Sequence, residues 1–167
     1  ARNQIANASA SVKNVEDYLY RGDKPIMQSG SYLFEGLKKE IRFNSMWFQY
    51  SQSKDWNLQD IDIVLPKGKT LALVGSSGAG KSTIADLLAR FYDPSKGCIE
   101  IDGICLKDLS IEEYRRNIGI VSQDTFLFNA SVKENIKYGY PHITDEAVFQ
   151  AAKLANAIDF IQNLPQG

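Results

Sequence analysis

Residues 75–82 read GSSGAGKS and directly follow the apolar run Leu71, Ala72, Leu73, Val74. The run has the composition of a central strand covered on both faces. The octapeptide satisfies the full GxxxxGK[ST] spacing of a phosphate-binding loop. Ile84, Leu87, Leu88 and Phe91 then recur at helical spacing and predict a helix over 81–92. Strand, loop and helix in this order turn successive backbone N–H groups into an anion nest at a helix N-terminus. Gly75, Gly78 and Gly80 give the backbone the freedom to turn with positive φ and to approach a ligand closely. Ser76, Ser77 and Ala79 complete the cradle. Lys81 places an ammonium on the β and γ phosphates, Ser82 offers its hydroxyl to Mg²⁺, and Thr83 reaches another phosphate oxygen. At average composition the four fixed positions coincide by chance roughly once in several tens of thousands of starts. The expected ligand is a nucleoside triphosphate, with ATP and Mg²⁺ as the leading pair.

The rest of the composition narrows the setting. A chain of 167 residues with 44% hydrophobic content fits one globular domain, or one domain with an extension. A net charge of −1 predicts no general attraction to nucleic acid. Cys98 and Cys105 form no CxxC pair and read as reduced thiols in a cytosolic setting; the lone His142 gives no zinc spacing. No apolar stretch is long enough to span a bilayer, and the first ten residues carry no signal-peptide core. The chain reads as cut at both ends, since it lacks an initiator Met and residues 163–167 contain no helix stop.

Along the chain, Ile5, Ala8, Val12, Val15 and Leu19 form one stripe of a helix over 1–20. Residues 21–40 contain Gly22, Pro25, Gly30 and Gly36 and read as a linker. From 41 onward the pattern is β: Ile41, Phe43 and Ser45 alternate with Arg42 and Asn44, and residues 58–65 alternate again. Ile99 and Ile101 precede Asp102-Gly103, a type I′ hairpin pair. Asp102 invites a metal or catalytic role, but a turn aspartate is the better reading. Ser110 with Glu113 and Ser131 with Glu134 predict capping boxes. Residues 118–121 predict another strand. Thr144 caps a helix running through Ala147, Ala151, Leu154 and Ile158.

Four segments together carry a family resemblance over 41–167. They are the loop extended as GSSGAGKST, the aromatic Tyr50 closing IRFNSMWFQY, the hairpin CIEIDG, and IGIVSQDTFLFNASVKENIKYG. The chain resembles the first half of the nucleotide-binding domain of an ATP-binding cassette (ABC) exporter. The resemblance implies an α/β P-loop NTPase core with a mainly parallel sheet and an antiparallel β-subdomain, preceded by the helix of 1–20, which would follow a transmembrane domain. It implies that Tyr50 stacks on adenine and that Gln123 contacts Mg²⁺, positions the attacking water and senses the membrane domain. Lys81 and Gln123 are thus the catalytic candidates. Phe126, Leu127 and Phe128 would face the membrane partner or form local core. The implied partners are the transmembrane domain of the same transporter and a second nucleotide-binding domain, at the cytoplasmic face of a membrane.

Residues 1–167 contain no LSGGQ-like signature, no strand ending in Asp-Glu and no switch histidine of the family's kind. The resemblance therefore implies that the intact protein hydrolyses ATP to drive export, and that this segment alone binds ATP without turning it over. Two rival readings stay open: a soluble ABC-type ATPase acting on DNA or ribosomes, and a non-catalytic nucleotide-binding module.

Overall fold

A computed structural model of the chain describes residues 27–122 and 125–164. The helix expected over 1–20 and Gln123 lie outside the described residues. The chain divides into two units, 1–119 and 120–167.

The first unit is built on a four-stranded antiparallel sheet. Strands β1 (Glu40–Phe48), β2 (Leu58–Pro66), β3 (Lys96–Ile101) and β4 (Ile104–Cys105) lie in the order β2-β1-β3-β4. Phe43 pairs with Ile63 on one side and Ile99 on the other, so three apolar side chains line up across the sheet. The expected alternation holds only as far as Asn44. Ser45 has φ 41°, and the register of β1 shifts there against both neighbours. This bulge moves the apolar phase by one residue, so Met46 and Phe48 are buried in place of Ser45 and Trp47. A backbone N–H···O bond of 3.0 Å from Ser45 to Asp62 Oδ1 holds the bulge. Gly97 lies against the Asn44 and Ser45 carbonyls, where a Cβ would overlap the backbone. A second phase change in β2, with Asp60 at φ 49°, passes the inward positions from Leu58 to Ile61 and Ile63.

β3 and β4 form the expected hairpin. Asp102 (φ 53°) and Gly103 (φ 85°) both have the positive φ of a type I′ turn. Helix α1 (Lys81–Leu88) covers the sheet with Leu87, which is fully buried among Phe43, Met46, Phe48, Leu58, Ile99 and Ile101. Each such side chain contributes about 1.5–3 kcal/mol of apolar burial. A 3-10 turn (Leu106–Asp108) and helix α2 (Ile111–Arg116) close the core with Leu106, Leu109 and Tyr114. Residues 28–32 form a strap: Gly30 N–H bonds Leu109 O, Tyr32 N–H bonds Asp108 O, and Ser110 N–H bonds Tyr32 O.

Further expectations need correction. Helix α1 ends at Leu88 instead of continuing to residue 92. Arg90 turns left-handed (φ 55°) and Phe91 N–H reaches back to Asp86 O, which is a helix-ending Schellman geometry. Ser110 makes no side-chain cap for α2; Ser29 Oγ takes the Ile111 N–H instead, and Glu113 pairs with Arg116 at 2.9 Å. The runs 71–74 and 118–121 are not strands. Val74 is 90% exposed and Val121 99%. A buried strand needs a ladder partner, and no described residue supplies one to either run. Among the described residues the sheet is wholly antiparallel.

The second unit is helical: α3 (Val132–Lys137), α4 (Asp145–Leu154) and α5 (Ile158–Gln162). The Ser131–Glu134 capping box is complete in both directions. Thr144 caps α4 by accepting from Ala147 N–H. The helix expected to run through Ile158 breaks after Leu154, where Asn156 adopts φ 52° and Ala157 N–H bonds Ala152 O. Asp145 joins α4 to α3 through Lys133 (2.8 Å) and Lys137 (3.7 Å).

Candidate functional site

The phosphate loop leads straight into α1. Ala79 N–H bonds Ser76 O at 3.3 Å and closes a turn across the loop. Gly78 (φ 81°) and Gly80 (φ 84°) hold left-handed backbone that other residues enter at a cost of about 1–2 kcal/mol. At Gly80 a Cβ would also meet Leu58 Cδ2 at 2.5 Å. Gly75, at φ 158°, is close to extended backbone, so the left-handed requirement falls on Gly78 and Gly80. A side chain at Gly75 would press on Ala79 Cβ at 3.2 Å.

The start of α1 fits a phosphate. Gly80 is its N-cap and brings no side-chain cap, and the first turn contains no acid. The first N–H groups of any helix lack intrahelical acceptors. Here they stay available for an anion, beside the positive end of the helix dipole. Lys81 Nζ bonds Gly75 O at 2.9 Å and Ser76 O at 2.7 Å, which stations an ammonium over the loop. Ser76, Ser77 and Ser82 are exposed, and Thr83 is buried. When bound, Mg²⁺ would neutralise phosphate charge, and the Ser82 hydroxyl is a hard oxygen ligand of the kind it takes. No group of three His, Cys, Asp or Glu gathers into a metal cage among the described residues.

The far end of α1 is tied down. Tyr114 Oη donates to Leu88 O at 2.7 Å and Arg115 Nη2 to Arg90 O at 2.6 Å, so the orphan carbonyls are satisfied. Burial pushes the Tyr114 phenol above its ordinary pKa, so it remains a donor. Arg90 is 1% exposed and bonds Gln28 O (2.7 Å), Leu109 O (3.1 Å) and Asp93 Oδ1 (3.1 Å). These bonds offset the strain of its left-handed backbone.

Tyr50 stands beside α1, just past the end of β1. Its hydroxyl lies 3.4 Å from Thr83 Oγ1. Its ring meets Phe48 edge-on at 4.8 Å and Tyr92 edge-on at 5.1 Å. The structure thus brings Tyr50, the loop 75–80, Lys81, Ser82 and Thr83 to one helix. Tyr92 and Thr83 as neighbours of the Tyr50 ring carry no sequence signal, because contacts across 42 and 33 positions follow no local period.

Asp102, the turn aspartate, has structural work. Asp102 accepts backbone N–H bonds from Lys38 (2.7 Å), Lys39 (2.7 Å) and Glu40 (2.9 Å), fastening the hairpin turn to the start of β1. Burial pushes its carboxyl up, but the amides of Lys38, Glu40 and Lys39 outweigh this and hold it below the ordinary range. Burial, with Cys105 and Glu100 alongside, pushes the Cys98 thiol up to about 12, which keeps it protonated and unreactive. His142 sits in an exposed turn.

In the second unit Phe126 and Leu127 are 77% and 73% exposed, so they are not local core. Phe128 stacks on Tyr138 at 4.2 Å, and Asn135 ties the Phe128 backbone with bonds to its N–H and its carbonyl. An apolar groove of about 450 Å³ lies among Val132, Ile136, Val148, Phe149, Ile158 and Ile161.

The chain is similar to known proteins over most of its length. Residues 58–166 match a family model described as ABC transporter. A Nostoc sp. protein named "Heterocyst differentiation ATP-binding protein HepA" is 40% identical over 163 residues, which is 98% of this chain and 27% of that protein. A Staphylococcus aureus protein named "Putative multidrug export ATP-binding/permease protein" is 48% identical over 138 residues, 83% of this chain and 24% of that protein. The chain thus spans about a quarter of the length of these relatives.

Proposed function

The chain belongs to the ABC transporter family, as the match over residues 58–166 shows, and on that premise we propose that it is the MgATP-binding part of an exporter. The observation that carries the proposal is the uncapped, acid-free N-terminus of α1 with Lys81 held over the loop. Backbone N–H groups of 75–83 would cradle the phosphates. Lys81 would carry the β and γ charge, and Ser82 would hold Mg²⁺. Tyr50 would offer its ring to the adenine, a contact of about 0.5–1.5 kcal/mol beyond area burial. Gln123, which resembles the family's glutamine-loop residue, would complete the metal and water contacts.

In the intact protein these residues would serve ATP hydrolysis that powers export across a membrane. Residues 1–20 would follow a transmembrane domain, 21–40 would link, and 41–167 would form the first part of the nucleotide-binding domain. The names of both relatives include ATP binding, and one is also named a permease. The exposed Phe126 and Leu127 support a surface toward the membrane partner at its cytoplasmic face. A second nucleotide-binding domain would face the loop. The exposed Leu71, Val74, Ile120 and Val121 support strand positions in a parallel core that neighbouring strands would cover. Residues 1–167 by themselves contain no acidic base after an apolar strand, so they would bind nucleotide without turnover.

The test is Mg²⁺-dependent phosphate release by the intact protein in liposomes. Release that Lys81→Ala abolishes supports the proposal; release that Lys81→Ala leaves unchanged contradicts it.

A further inference from the structure

The contacts around Tyr50 go beyond the presence of an aromatic ring. Its backbone is fixed on both sides: Tyr50 N–H bonds Asn57 Oδ1 at 3.0 Å, and Tyr50 O accepts from Ser53 N–H at 2.9 Å. Its ring is fixed by two groups that both belong to the α1 segment. Thr83, in the first turn, meets the hydroxyl at 3.4 Å. Tyr92, four residues past the helix end, meets the ring at 5.1 Å with the planes at 88°. Phe48 closes the third side at 4.8 Å and 82°, and itself touches Tyr92 at 5.6 Å. Such perpendicular contacts are the favoured geometry for aromatic pairs.

Tyr92 is in turn held where it is. The Schellman turn at Arg90 reverses the chain, Arg90 pairs with Asp93 at 3.1 Å, and Arg115 lies 5.5 Å over the Phe91 ring. The helix that ends in this turn begins as the phosphate loop. The segment that presents N–H groups to phosphate therefore also clamps the aromatic ring, with one group at each end.

We infer that Tyr92 is a positioning residue for base recognition, and that with Thr83 it locks the Tyr50 ring in one orientation relative to the phosphate loop. The inference rests on the nucleotide reading proposed above. A free tyrosine ring must be ordered when a base stacks on it, and ordering one side chain weakens binding by about 3- to 10-fold. A ring already ordered by the protein avoids that loss. Only ligands that carry a base benefit from the lock, and a bare phosphate chain does not.

The test measures Kd for MgATP and for Mg-tripolyphosphate on the full-length protein and its variants. Tyr92→Ala should weaken ATP about 3- to 10-fold and leave tripolyphosphate unchanged. Tyr92→Phe keeps the ring and should bind ATP like the wild type. Tyr50→Phe, which keeps the stacking face but loses the Thr83 contact, should weaken ATP alone. If Tyr92→Ala unfolds, Tyr92→Leu replaces it, keeping apolar bulk without a ring. Equal losses for both ligands, or none for either, would overturn the inference. Tyr50→Ala separates the two levels. If it weakens ATP and Tyr92→Ala does not, only the lock falls. If it leaves ATP binding unchanged, the base-stacking reading falls as well.

Discussion

The Lys81 ammonium lies 2.7 Å from the Ser76 carbonyl oxygen, five residues back in the same loop. The loop's one cation is therefore held by the loop's own backbone, through the Gly75 and Ser76 carbonyls. A charge stationed in advance costs little reorganisation when an anion arrives. An arginine in its place has a planar fork that does not fit the same two carbonyls. We expect Lys81→Arg to weaken MgATP binding by an amount close to that of Lys81→Ala. Titration calorimetry of the two variants checks this.

Gly80 is the second fixed point of the loop. Its φ of 84° and the nearness of Leu58 leave little room for a side chain. Gly80→Ala should lower stability by about 1–2 kcal/mol and weaken nucleotide binding. Gly103→Ala, also at positive φ but in open space, should lower stability by a similar amount and leave binding intact. Denaturant midpoints and ATP Kd values for the pair separate strain from function.

Arg90 holds the end of α1 from inside. Arg90→Ala removes the three hydrogen bonds of a buried guanidinium, to Gln28 O, Leu109 O and Asp93 Oδ1, and should cost roughly 2–3 kcal/mol, the range for bonds made by a charged group. Arg90→Lys should recover only part, since one ammonium does not replace a three-way guanidinium contact. Urea unfolding of the two variants reads this directly.

Asp102 supplies a pH dependence with a defined sign. Its carboxyl is held below the ordinary value in the folded protein. Its contribution is thus complete above the unfolded pKa of about 3.9 and is lost as pH falls through the lower folded value. Asp102→Asn should be less stable at neutral pH, and its stability should fall less steeply between about pH 5 and 2. Parallel acid titrations of urea midpoints give both slopes.

Much of this was legible in the sequence where a local rule governs. The loop, the Asp102-Gly103 turn, the Ser131–Glu134 box and the Thr144 cap each follow from a few adjacent residues, and each is found in the structure. The misses arise where long-range contacts decide. Ser45 fits an alternating strand, yet Asp62 and Gly97 make a bulge there and turn Met46 inward. Ser110 fits a cap, yet its side chain makes no cap bond, and Ser29 binds the first N–H of the helix, that of Ile111, from 82 positions away. Phe91 fits the helix period, yet the helix stops at a left-handed Arg90 whose side chain is held by the distant Gln28 and Leu109 carbonyls as well as by nearby Asp93. The apolar runs 71–74 and 118–121 have strand composition, but composition alone supplies no neighbour to pair with. At the candidate site, the spacing of residues 75–83 predicts the glycine-rich loop and the helix start that the structure contains, while the contact of Tyr92 with Tyr50 follows no local rule.

The central claim is that GSSGAGKS binds nucleotide phosphates through the start of α1. Isothermal titration of MgATP into the intact protein and its Lys81→Ala variant tests it most directly. Saturable binding by the wild type, weakened about 10- to 100-fold by the loss of a charge-assisted contact, is the predicted result. No binding by the wild type, or equal binding by the variant, would contradict it.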